Sequence, residues 1–77
     1  MDQQEKIAID VIKNIAIDSS RVLAERQRAI DALTLFREAA LPALKDIEKK
    51  VDVNVLKERT RLYIQRIKEG AVLSMNL

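Results

Sequence analysis

Val22-Leu23-Ala24-Glu25-Arg26-Gln27-Arg28 is echoed by Val55-Leu56-Lys57-Glu58-Arg59-Thr60-Arg61. Five of the seven residues agree, and the second copy follows the first by 33 positions. The match extends outward. Ile30 stands where Tyr63 stands in the second copy, and Lys13-Asn14-Ile15 resembles Lys45-Asp46-Ile47 at 32 positions. The difference of one is an insertion in the turn between helices. A fixed period of this length is the signature of stacked helical hairpins, each unable to bury its apolar side alone. The chain is thus expected to be all-α and a single domain over 1–77. Repeat 1 covers about 3–39 and repeat 2 about 40–73. The alternative is an ordinary up-down four-helix bundle, in which one helix register echoes another by chance.

The periodicity predicts four helices. The first runs from Gln3 to about Ile17, with Ile7, Val11 and Ile15 in one row, Ala8, Ile12 and Ala16 beside it, and Ile9 widening the arc. An apolar arc that wide demands more than one neighbour. Asp18-Ser19-Ser20 breaks the pattern with three residues suited to cap the next helix. The second helix is expected over Arg21–Ala39, with Val22, Ala29, Leu33, Phe36 and Ala40 on one line and Leu23 and Ile30 on another. Pro42 opens the third, to about Lys50, because its missing N–H is harmless in a first turn. Asp52 or Asn54 is expected to cap the fourth, which ends at Gly70, a residue at ease in the left-handed conformation that closes helices. Its tail continues with Ala71-Val72-Leu73.

The helix pair with Pro42 in the first helix, Asp52 in the turn and Val55 opening the second resembles a HEAT repeat, with Asp18 and Val22 in the matching places of the first unit. Two features depart from that pattern. Leu23 and Leu56 follow the valine where the family carries Arg or Lys, and the first unit has no proline. The chain is also similar to small all-helical archaeal proteins of uncharacterised role. The resemblance implies four antiparallel helices arranged as two stacked hairpins.

Composition narrows the chemistry. The chain has 77 residues, 48% hydrophobic and 34% charged, with one Gly, one Pro, no Cys and no His. Without Cys there is no disulfide framework and no thiolate. Without His the commonest general base and zinc ligand are both missing. Ser19, Ser20, Ser74, Thr34, Thr60 and Tyr63 have nothing of that kind to activate them. No glycine-rich phosphate loop is present. The chain is therefore expected to be no enzyme and to hold no cofactor or metal. The N-terminus lacks the apolar stretch of a signal peptide, and charges interrupt every apolar run before bilayer length. A cytoplasmic protein without membrane association is expected.

Two partner classes remain. Helices with two apolar faces, in a chain of only four, leave surplus apolar surface, and stacked repeats need polar end caps. The expected function is a protein–protein interaction or assembly module that self-associates as a dimer, through Ile9, Ile17, Val55, Leu62 and Val72. The alternative is a nucleic-acid accessory protein. Lys57, Arg61 and Lys68 share one side of the last helix and Arg28 repeats Arg61, so a basic ridge could meet phosphates. The net charge of only +2 and the acidic Glu25 and Glu58, three residues before those arginines, weaken it. Arg26 and Arg59 each lie between the apolar rows of their helix. Their expected role is structural: an apolar stem laid on the core and a guanidinium reaching an acidic residue of the neighbouring helix.

Overall fold

The computed structural model of the chain describes residues 2–70. Every regular element among them is helical: α1 (Gln3–Ile17), α2 (Leu23–Leu33), a 3-10 segment (Thr34–Ala40), α3 (Leu41–Lys50) and α4 (Asn54–Glu69). The class is all-α. Each α-helix packs most extensively on its sequence neighbour, α1 on α2 and α3 on α4. Across these pairs α1 touches α3, and α2 touches α4. The core lies where all four meet, with Ile30, Leu33, Leu44, Ile47 and Leu56 fully buried. Thr60, also fully buried, donates its hydroxyl to the Leu56 carbonyl at 2.7 Å, and no buried side-chain nitrogen or oxygen among the described residues lacks a partner.

The helix ends differ from the sequence expectation. Asp2 starts α1, its carboxylate accepting from the Gln4 amide at 3.2 Å. Asp18 does not cap α2. It folds back on the exit of α1, accepting from the Ser20 amide at 3.0 Å and the Ser20 hydroxyl at 2.6 Å. This local turn competes with helix capping for the same carboxylate. Val22 becomes the N-cap of α2 and Val53 that of α4, neither with a side-chain bond. Asp52 and Asn54 therefore cap nothing. Gly70 closes α4 in the left-handed region (φ 74°) as expected.

The second helix is shorter than its sequence suggests. Thr34-Leu35-Phe36-Arg37-Glu38-Ala39-Ala40 contains good helix formers and no glycine, yet Arg37 sits at φ 55°, ψ −131°. This backbone is strained for any residue with a Cβ, by about 1–3 kcal/mol. A straight helix would carry the chain away from the core. The bend instead returns Ala40, Ala43 and Leu44 to the interior, and that burial outweighs the strain. Pro42 lies in the first turn of α3, where it was expected.

The inward rows also change. Ile9 and Ala16 are the buried residues of α1, whereas Ile7 and Val11 stand 55% and 56% exposed. With α2 and α3 on either side of Ile9, Ile12 and Ala16, no element among the described residues lies over the opposite arc. Val22 and Leu23, expected in inward lines, are exposed at the start of α2. The repeated leucines thus live in different surroundings: Leu23 outside, Leu56 at the centre.

Candidate functional site

The most elaborate polar cluster joins α2 to α4. Arg59 Nε donates to Asp31 Oδ1 at 2.6 Å and Nη2 to Oδ2 at 3.2 Å. Tyr63, one turn beyond Arg59, donates its hydroxyl to Asp31 Oδ1 at 2.7 Å. The guanidinium carbon lies 5.7 Å from the Tyr63 ring centroid, within reach of the ring's negative face. Burial alone would raise the Asp31 pKa. The hydrogen bonds from Arg59 and Tyr63, with the Arg59 charge, outweigh it and hold the carboxyl below its ordinary value. Burial, and then the bond to Asp31, push the Tyr63 hydroxyl up. A carboxylate so well satisfied is a poor proton acceptor near neutrality, and the cluster reads as a tie between helices. It is the acidic-neighbour role expected of Arg59.

Arg26 does something else. It is 4% exposed, and its Nε donates to the Ala16 carbonyl at 2.9 Å while Nη2 reaches the Ile17 carbonyl at 3.5 Å. These carbonyls end α1, where helix geometry leaves acceptors unpaired and partial negative charge gathers. Arg26 therefore caps a neighbouring helix end instead of pairing with a carboxylate from that helix.

Two more ion pairs join helices, and a third lies within α3. Lys13 of α1 and Lys50 of α3 meet Asp46 at 3.3 and 3.2 Å. Hydrogen bonds from Lys50 and then Lys13 lower the Asp46 pKa. Arg61 of α4 meets Glu48 of α3 at 2.6 Å.

The expected contact residues separate. Ile9 is interior, 4% exposed, because α3 and the Ala39–Ala43 stretch close over it; it is no outer-face residue. Ile17 is half-buried against the core. Val55 and Leu62 are exposed at 54% and 43%. Val72 lies outside the described residues. Of the basic ridge, Arg28, Arg61 and Lys68 are exposed and Lys57 is half-buried. Arg61 is already committed to Glu48, which removes one charge from the ridge. Arg28 flanks a shallow hollow with Ile12 and Ile15 of α1, whereas Arg61 leans toward α3.

Sequence reasoning missed the exposed Ile7, Val11 and Leu35. A signal for the first two was present: the residues in line with them on α1 are Gln4 and Asn14, both uncharged. Beside that line, Lys6, Ile9, Asp10, Pro42 and Ala43 border a cleft of about 320 Å³ between α1 and α3. No group of three or more potential metal ligands occurs among the described residues. No helix among them is long and apolar enough to cross a membrane. No family model, curated protein or solved structure matches the chain.

Proposed function

We propose that the chain is a non-enzymatic interaction or assembly module that pairs with a second copy of itself in the cytoplasm. The carrying observation is the amount of apolar surface left in water. Seven large side chains, Ile7, Val11, Val22, Leu23, Leu35, Val55 and Leu62, are between 43% and 79% exposed. Scattered apolar residues are ordinary on any surface. Here they recur on four helical elements of a small chain: α1, the start of α2, the 3-10 segment and α4. Covering such surface is a standard source of association free energy, roughly 25 cal/mol for each Å² removed from water.

The architecture that goes with this reading is four antiparallel helices in two stacked HEAT-like hairpins. Its support is the packing order, α1 with α2 and α3 with α4, joined through α1–α3 and α2–α4. Open ends of such a stack require a cover. The absence of His and Cys and the saturated state of Asp31 support the non-enzymatic part. Sedimentation equilibrium is the test. The expected mass is twice the 8.8 kDa of one chain; one-chain mass at hundreds of micromolar would end the reading.

The second reading is a nucleic-acid accessory role through Arg28, Lys57, Arg61 and Lys68. Exposure of three of the four favours it, and the Arg61–Glu48 pair opposes it. A salt-sensitive mobility shift with DNA or RNA, lost when Lys57 and Arg61 are reversed in charge, would transfer the function to that ridge.

A further inference from the structure

We infer that two copies pair by exchanging halves: α1 and α2 of one chain fold onto α3 and α4 of the other, and Thr34–Ala40 opens into helix to let the halves part. The inference rests on the self-association reading and adds the means by which the copies meet. Its first support is an apolar stripe that runs through the bend. Ala29, Leu33, Phe36, Ala40, Ala43 and Ile47 follow one another at four, three, four, three and four residues. Phe36 is half-buried against the core and the others are buried. That spacing marks one face of a continuous helix, yet the chain turns back in the middle of it. A connection that serves only as a turn has no need to keep helical register across itself.

The second support is the chemistry of the turn. Thr34–Ala40 holds no Gly, Pro, Asn or Asp, the residues that build turns without strain. The reversal falls instead on Arg37 at φ 55°, ψ −131°, a backbone that strains any residue with a Cβ. Short connections under strain favour exchange between copies, because opening releases the strain in both chains. Arg37 is exposed, so opening drags no side chain of its own out of the core. Pro42 tolerates the open form. Leu41 before it is already helical, at φ −56°, ψ −46°. Proline costs the open helix the bond to the Glu38 carbonyl and bends it. That cost opposes the released strain, so the closed chain and the exchanged pair stay in balance and concentration decides between them.

Exchange preserves the seam. Each α-helix packs most extensively within its own half, and the halves stay intact. The polar ties across the seam, Asp31 with Arg59 and Tyr63 and Lys13 with Asp46, re-form between chains in the same geometry. Asp31 is then satisfied by the partner copy.

Isotope mixing tests the exchange. Heavy, isotope-labelled chains and light chains are mixed in equal amounts in urea, refolded together and treated with a carbodiimide, which joins an ammonium to a carboxylate it touches. Mass spectrometry of the digested dimer fraction then reads two links. Lys13–Asp46 spans the halves, and Lys50–Asp46 lies within α3 and stays unmixed in either arrangement. Exchange is expected to make about half of the Lys13–Asp46 links heavy-to-light. Sedimentation equilibrium on the unsubstituted chain and on Arg37→Gly gives the second readout. Glycine relaxes the closed turn and weakens the open helix, and each dimer holds a pair of such hinges, so the dissociation constant is expected to rise at least about tenfold. A single-chain mass for the unsubstituted protein would overturn self-association itself. A dimer whose Lys13–Asp46 links are all heavy-to-heavy or light-to-light would leave self-association standing and overturn the exchange. Mixed links with an unchanged dissociation constant in Arg37→Gly would keep the exchange and overturn Arg37 as its hinge.

Discussion

Replacing Arg26 by Met removes the only charged side chain that is buried among the described residues while keeping most of its length. Two acceptors lose their donor. The 2.9 Å bond from Nε to the Ala16 carbonyl is a good charge-assisted bond, and such bonds contribute about 1.5–3 kcal/mol. The 3.5 Å bond to Ile17 is at the limit of useful geometry and adds little. Positive charge at the C-terminal end of α1 contributes up to about 2 kcal/mol when partly buried. Met returns some of this, because its stem fills the same space without a desolvated charge, an offset of about 1 kcal/mol. The net expectation is a loss of about 2–3 kcal/mol. For a chain of this size that lowers the melting temperature by roughly 10–20 °C. Arg26→Lys keeps the charge and loses the planar fork, so it is expected to fall between Arg and Met. Urea unfolding followed by circular dichroism, at a protein concentration held fixed across variants, reads all three. A loss under about 0.5 kcal/mol for R26M would mean that the carbonyls closing α1 need no donor, and would refute the capping account.

Two other perturbations follow from the geometry. Arg37→Gly relieves the left-handed backbone but frees the unfolded chain, so a net gain of about 0.5–1 kcal/mol is expected in the same unfolding assay, with Arg37→Val moving the other way. Acid should destabilise the fold through Asp31 and Asp46, whose folded pKa values lie below the ordinary 3.8. A depressed folded value means the stabilisation is complete above 3.8 and is lost as pH falls from there through the folded values. Asp31→Asn is expected to lower stability at neutral pH and to flatten that acid limb; an unchanged limb, in a pH series of urea midpoints, would show that the tie to Arg59 and Tyr63 contributes nothing.

Much of the molecule was legible in the letters. The all-helical class was legible, and the first, third and last apolar-periodic segments, with Pro42 and Gly70, lie close to the observed helix limits because these signals act locally; the second segment stops at Leu33, well short of the expected Ala39. Arg59 was legible too: an arginine between two apolar rows, with an acid on the adjacent helix, has few other uses. Three features were not. Asp18 looks like a helix cap, but a serine two residues later competes for its oxygens, and sequence cannot weigh one local bond against another. Arg37 sits among helix formers, so only the pull of Ala40 and Leu44 toward the core reveals the bend. Ile7 and Ile9 are equally apolar and two residues apart. Periodicity finds the arc they share, but which part is covered depends on where α3 arrives, and that is set by the bend at Arg37.

The order in which the helices pack also bears on how the chain reaches its folded form. Each long helix leans chiefly on the one that follows or precedes it, so most closures span a single short loop and little loop entropy is lost before they form. Low contact order of this kind goes with folding in microseconds to milliseconds. The slower event is then the meeting of the two halves around Leu33 and Leu44. Arg59 and Asp31 bond across the same seam, so their partnership should form late, and breaking it should speed unfolding far more than it slows folding.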